Sequence, residues 1–293
     1  MIADARDPRA RLARASGLAE ALEAGVAALA GTTPTPRLDA EVLLRHASGA
    51  TRARLLAYPE EKLSETVRDA YAAMVERRRR GEPVAYITGR REFWSLELAV
   101  SPATLIPRPE TELLVERALA RIRPAADGWV ADLGTGSGAV ALALGAERRA
   151  LSILATDRSA AALAVARANA KRLRIANVRF CVADWCEALA EGRFEAIVSN
   201  PPYVRTNDPH LKEGDLRFEP PGALVAGPDG LDALRAIAAG AHARLVPGGW
   251  LLLEHGHDQG RAVRALLGEH GYRDVRTYTD LSGRERVTEG RRP

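Results

Sequence analysis

The stretch that decides the fold is Trp129-Val130-Ala131-Asp132-Leu133-Gly134-Thr135-Gly136-Ser137-Gly138. Its first half is a short, largely apolar run, as expected of a strand buried in a parallel sheet. Its second half is a glycine turn that opens a helix over 138–145. The same period then continues. Strands are expected over 151–156, 178–182, 195–199 and 250–254, with closing strands near 274–278 and 285–288. Helices are expected over 160–172, 231–245 and 261–270. Alternation of this kind predicts an α/β fold, with seven strands, a mostly parallel sheet and helices on both faces. Ligands then bind at the carboxyl ends of the strands.

Those strand ends carry the informative side chains. In the turn, Gly134, Thr135, Gly136, Ser137 and Gly138 let backbone N–H groups approach a ligand closely. The turn also satisfies the dinucleotide fingerprint in its Gly/Ala form, so alone it does not choose a cofactor. The next strand ends in Asp157, placed as a ribose-binding acid should be. The third is followed by Asp184-Trp185, an acceptor for an adenine amino group beside a ring that packs on adenine. Together these favour an adenosine-containing cofactor in a Rossmann-like domain. Asp132, just before the turn, opposes a pyrophosphate but suits the ammonium of a methionine moiety. The balance favours S-adenosylmethionine, with S-adenosylhomocysteine as product.

The fourth strand delivers Asn200-Pro201-Pro202-Tyr203 to the same edge of the sheet. An amide or exocyclic amino nitrogen is a poor nucleophile because its lone pair is delocalised. A site can hold such an NH₂ with acceptors, and the Asn200 side-chain oxygen and the Pro201 carbonyl supply two. They aim the nitrogen and stabilise the positive charge that grows on it. Pro201 and Pro202 stiffen the loop, and Tyr203 offers a flat face to a planar group. No metal is needed. The bland alternative is a rigid turn after a strand, since Asn-Pro is an ordinary turn opener.

Before residue 83 the pattern is helical only. Leu12, Ala15, Leu18, Leu22, Val26 and Leu29 recur at helical spacing. Further helices are expected after Pro36, around Leu55, and over 67–80. The four arginines 77–80 end the last of these, where cations suit the helix C-terminus; a contact with an acidic partner or RNA is the functional alternative. Residues 84–88 and 92–100 are rich in β-branched and aromatic residues around Gly89, which predicts a β-hairpin. The expected organisation is a helical domain over 1–82, a hairpin linker over 83–108 and the cofactor domain over 109–293.

Bulk composition bounds the rest. In 293 residues, 46% are hydrophobic, 27% are charged, and the net charge is +4. That is too mild for a dedicated nucleic-acid binder. Two cysteines, Cys181 and Cys186, are too few for a disulfide framework. Glu254-His255-Gly256-His257 lacks a third metal ligand and reads as a strand terminus. No apolar run approaches the ~18 residues of a membrane span and no signal peptide is evident, so a cytoplasmic protein is expected.

On these residues the chain resembles the bacterial peptide chain release factor N5-glutamine methyltransferases. The resemblance rests on Pro83-Val84-Ala85-Tyr86-Ile87-Thr88-Gly89, Glu92-Phe93-Trp94 and Ile106-Pro107-Arg108-Pro109-Glu110-Thr111-Glu112. It continues through the glycine turn, the Asn-Pro-Pro-Tyr string, Arg217-Phe218-Glu219-Pro220 and Glu254-His255-Gly256. It implies a class I methyltransferase domain and a helical N-terminal domain that docks the substrate. The implied S-adenosylmethionine site matches Gly134 to Gly138, Asp157, Trp185 and Asn200, and the implied substrate is the glutamine of the Gly-Gly-Gln loop of peptide chain release factors, held by Asn200, Pro201, Pro202 and Tyr203. No direct nucleic-acid contact and no membrane association are implied, and residues 105–108 are expected to border the pocket. DNA and rRNA adenine amino-methyltransferases share the Asn-Pro-Pro-Tyr string and form the alternative reading. A non-catalytic module that keeps the cofactor fold is a second, opposed by the intact motif.

Overall fold

The computed structural model describes residues 12–123 and 128–293. The chain divides into two compact units: Met1–Gly89 with Lys212–Phe218, and Arg90–Leu211 with Glu219–Pro293.

The first unit holds α1 (Leu18–Leu29), α2 (Pro36–Ser48), α3 (Arg52–Ala57), α4 (Glu65–Arg79) and α5 (Val84–Thr88). Helical spacing gathers Leu18, Leu29, Leu43, Leu44, Tyr71 and Val75 into one core. Thr51 and Ser64 cap α3 and α4 by accepting from the backbone N–H three residues on. The periodic run from Leu12 is not one helix. Gly17 is extended and bridges Lys62, because Leu18 N donates to the Glu61 carbonyl and Leu63 N to that of Ser16. Glu20 then reaches back to Ser16 N at 2.9 Å, closing the new start of α1.

Two sequence expectations change here. Residues 84–88 form α5, not a strand. Pro83 starts the turn, Gly89 ends it at φ +70°, and Tyr86 and Ile87 are buried, so packing and capping override β-branched composition. The arginines 77–80 are also more than last-turn cations. Arg77 pairs with Glu82, and Arg79 and Arg80 with Glu76. Arg78 turns inward instead. Its guanidinium donates to Asp39 at 2.7 Å, Asp215 at 2.7 Å, the Glu82 carbonyl at 3.1 Å and Thr33 at 3.1 Å. Asp215 belongs to the Lys212–Phe218 segment, whose Arg217 also donates to the Arg80 carbonyl at 2.7 Å.

The second unit opens with an antiparallel hairpin of β1 (Arg90–Phe93) and β2 (Leu96–Ala99). Its two turn residues, Trp94 and Ser95, both have positive φ, as a tight hairpin turn requires. A 3₁₀ turn, Pro109–Thr111, leads into α6 (Glu112–Arg121). Then follow β3 (Trp129–Leu133), α7 (Ala139–Glu147), β4 (Ser152–Asp157), α8 (Ala160–Leu173), β5 (Val178–Val182) and β6 (Phe194–Ser199). The chain ends with α9 (Asp232–Ala241), β7 (Leu245–Glu254), α10 (Gly260–Glu269), β8 (Arg273–Thr279) and β9 (Glu285–Arg291).

These strands form a seven-stranded sheet in the order β5-β4-β3-β6-β7-β9-β8. The β3–β7 strands run parallel, and β9 is antiparallel to both β7 and β8. Side chains alternate between two apolar layers: Val130, Val198 and Leu252 face one, while Ala131, Ile197 and Leu251 face the other. Strand order reverses between β3 and β6, so a crevice opens at their carboxyl ends.

Candidate active site

The glycine turn leaves β3 with Gly134, Gly136 and Gly138 at φ +70°, +57° and +86°. At Gly134 and Gly138 a side chain would also crowd its neighbours. A Cβ at Gly138 would lie 3.1 Å from Leu142 and 3.2 Å from Ala166, and one at Gly134 would sit 3.3 Å from the Trp185 ring. Hydrogen bonds from several directions pin the turn. Thr135 N donates to the Thr156 carbonyl at 2.9 Å and Gly138 N to the Thr135 carbonyl at 2.8 Å. The buried Asn169 amide donates to the Ser137 carbonyl at 2.9 Å while also holding Ala99.

Asp132 has a role that the sequence did not disclose. Its Oδ2 accepts from the Thr135 hydroxyl at 2.6 Å and from Ala141 N at 3.1 Å, so it caps α7 from the preceding strand. Burial pushes its carboxyl up to about 6, against the pull of those two hydrogen bonds. It still lines the cavity, where the sequence reading gives it an ammonium to meet.

Asp157 is aimed by backbone. Oδ2 accepts from Gly136 N at 2.9 Å and Oδ1 from Ser159 N at 2.8 Å. Each oxygen keeps lone-pair capacity for a diol. Trp185, at φ +39°, brings its indole over Gly134, and Asp184 stands exposed beside it.

One cavity of about 520 Å³ joins these groups. Gly134, Thr135, Gly136, Ser137, Asp157 and Asp184 line it, as do Trp185, Asn200 and Pro202. Gly138, Pro201 and Tyr203 do not. Gly138 is the N-cap of α7 and Pro201 is buried. Tyr203 packs beside the apolar layer of α9 and α10, and its hydroxyl donates to Glu254 Oε1 at 3.4 Å. The expected open stacking face is therefore an anchored ring, because a phenol hydroxyl taken from water needs an acceptor.

Asn200 sits at the cavity edge and its Nδ2 donates to the Thr111 hydroxyl at 3.1 Å. Thr111 lies in the Pro-Glu-Thr-Glu string and is buried. The neighbours of that string are also explained. Leu105 and Pro107 line the cavity, as expected of the 105–108 stretch, whereas Ile106 N and Arg108 bond the buried Glu219. Thus Glu219, of the Arg-Phe-Glu-Pro string, locks the Pro-Arg-Pro string in place. Glu112 accepts from Trp94 N at 3.0 Å and holds the hairpin turn. Sequence reading missed Thr111, which lines the cavity, and Glu254, which does not line it but holds the Tyr203 hydroxyl. The signal available was their place in the two family strings, not their chemistry.

One histidine of the Glu-His-Gly-His string is held within the fold. His255 is buried, with one ring nitrogen 2.8 Å from the Gly256 carbonyl and the other 2.8 Å from Thr288. Burial holds its pKa below the usual imidazole value. Cys186 is buried and free, its thiol pushed up to about 11 by burial. No helix among the described residues is long and apolar enough to cross a membrane.

The fold and the strand-end acids define a class I S-adenosylmethionine-dependent methyltransferase. Residues 109–213 match the methyltransferase small domain, and residues 20–89 match the PrmC N-terminal domain. A solved methyltransferase from Pyrococcus furiosus has the same fold at 18% identity and a TM-score of 0.52, covering 67% of this chain and 89% of that one. The particular family follows from relatives. The release factor glutamine methyltransferase of Xylella fastidiosa is 56% identical over 264 residues, 90% of this chain and 96% of that protein. That of Escherichia coli is 51% identical over 257 residues, covering 88% and 92%. The chain belongs to the release factor glutamine methyltransferases.

Proposed function

We propose that this chain transfers the methyl group of S-adenosylmethionine to the side-chain amide nitrogen of the glutamine in the Gly-Gly-Gln motif of peptide chain release factors. N5-Methylglutamine forms, tuning translation termination in the cytoplasm. The observation that carries the reading is Asn200 at the rim of the cofactor cavity, with Nδ2 committed to Thr111 and Oδ1 therefore at the amide's other end.

The cavity suits the methyl donor. Among its lining residues, Asp157 would accept from the ribose hydroxyls, Asp184 and Trp185 would receive adenine, residues 134–137 would face the methionine moiety, and Asp132 would answer its ammonium. When bound, the donor supplies a methyl on a cationic sulfur that leaves as a neutral sulfide. This chain's residues do the rest. Asn200 Oδ1 and the Pro201 carbonyl accept from the glutamine NH₂ and aim its lone pair at the methyl carbon. As the N–C bond forms and the S–C bond breaks, the same two acceptors stabilise the cationic nitrogen until it loses one proton. Pro201 and Pro202 fix the acceptors in advance, and Tyr203, tied to Glu254, anchors the loop end. The helical unit is assigned to docking of the release factor.

Labelled S-adenosylmethionine tests this with purified release factor and with nucleic acid. Label should enter the release factor and fail to enter one whose Gly-Gly-Gln glutamine is alanine. Transfer to nucleic acid, as an adenine amino-methyltransferase would give, or transfer indifferent to that change, overturns it.

A further inference from the structure

Glu254 ends β7 beside the end of β6, and it is almost wholly buried. Its Oε1 takes the Tyr203 hydroxyl at 3.4 Å, while Oε2 has no donor in hydrogen-bonding geometry among the described residues. The Thr111 hydroxyl faces the same carboxyl. A buried carboxyl this poorly served costs stability, and no cation pairs with it at ion-pair distance among the described residues.

Hydroxyl stoichiometry gives that carboxyl a use. Thr111 Oγ1 accepts from Asn200 Nδ2 at 3.1 Å, so its single hydrogen must go elsewhere. An ionised carboxylate only accepts, so it draws the hydroxyl hydrogens of both Thr111 and Tyr203. The chain then has one polarity, from Asn200 N–H to the Thr111 oxygen and from Thr111 O–H to Glu254. We infer that Glu254 is a positioning residue that acts through Thr111 to keep the carbonyl end of the Asn200 amide turned to the methyl-accepting nitrogen. The inference rests on the acceptor role proposed for Asn200.

A protonated Glu254 reverses the chain. It donates to Thr111, Thr111 donates to Asn200, and the flipped amide presents NH₂ to a substrate NH₂. Burial dominates and pushes the Glu254 carboxyl up to about 7. The groups around it are Thr111 and Glu110 from the 3₁₀ turn, Tyr203 from the loop after β6 and Arg286 from β9. Arg286 opposes the rise, but it is paired with Asp280 at 3.1 Å. Deprotonation, and with it the competent polarity, is gained as pH rises through about 7.

The test is kcat and KM against pH, from 5.5 to 9, for the full chain with release factor. Wild type should show an acid limb with a midpoint near 7. Glu254→Gln should lower kcat about 10- to 100-fold, flatten that limb, and leave the KM for S-adenosylmethionine within about twofold. Thr111→Val should do the same, Thr111→Ser should recover most of the rate, and Glu254→Gln/Thr111→Val should lose little more than either alone. The Thr111 pair carries the test if Glu254→Gln does not fold, as circular dichroism would show. Wild-type kcat with an intact acid limb in Glu254→Gln or Thr111→Val, or additive losses, overturns the inference. Asn200→Ala separates the two readings. If it is fully active, the acceptor role itself fails; if it is inactive while Glu254→Gln behaves as wild type, only the Glu254 inference fails.

Discussion

The helical unit and the cofactor unit each bury a charged side chain, and they treat it in opposite ways. Arg78 is matched on every side: two carboxylates, a carbonyl and a hydroxyl absorb its donors. Glu254 meets one long hydrogen bond from Tyr203 and faces the Thr111 hydroxyl, and one of its oxygens has no donor in hydrogen-bonding geometry among the described residues. A saturated buried ion holds a structure still, because removing it strands its partners. An unsaturated one retains the ability to change state. The contrast separates a structural device from one tied to chemistry, and each side of it can be broken.

The largest effect is expected at Arg78. Arg78→Met should destabilise the protein by about 3–5 kcal/mol in urea unfolding, since the nearly buried Asp39 loses its cation. Binding of S-adenosylhomocysteine at low denaturant should hardly change. A loss below about 1 kcal/mol would show that the network is ornamental. Next comes Asn200→Ala, with kcat expected to fall about 100- to 1000-fold while cofactor binding, measured by calorimetry, survives. Asp157→Ala should invert that pattern. S-Adenosylhomocysteine affinity should drop by about 1.5–3 kcal/mol, in line with hydrogen bonds to a charged group, with a smaller change in kcat at saturation. The smallest effect belongs to Leu281→Ser. Leu281 is fully exposed between β8 and β9, and both stability and rate should stay within about 0.5 kcal/mol of wild type.

The sequence exposes the second unit far better than the first. Strands β3–β6 are short, largely apolar runs leading to the glycine turn, an acid or Asn200, and period alone places them. Asp157, Trp185 and Asn200 are legible because the topology forces successive strand ends to one edge. What stays hidden is whatever depends on distant partners. Residues 84–88 read as a strand until the burial of Tyr86 and Ile87 makes them a helix. Arg78 looks like one of four equivalent arginines until Asp215, far along the chain, reaches it. Asp132 reads as a ligand, and only the fold shows that it also caps α7. Thr111 and Glu254 are ordinary letters in the sequence; hydroxyl direction and burial give them meaning.

The route of the chain adds a constraint on inheritance. After 89 residues the helical unit looks finished, yet Asp215 and Arg217 arrive with Lys212–Phe218, an excursion out of the cofactor unit that ends as Glu219 returns to it. The N-terminal helices are therefore not a cassette. A gene fragment ending at Gly89 would carry Arg78 without one of its two carboxylates and Gly81 without the arginine folded over it. Recombination that swaps the front of this protein for that of a distant relative must also bring the matching Lys212–Phe218 segment, or accept a buried cation that is less fully paired. Exchanging the helical unit intact therefore takes a double exchange.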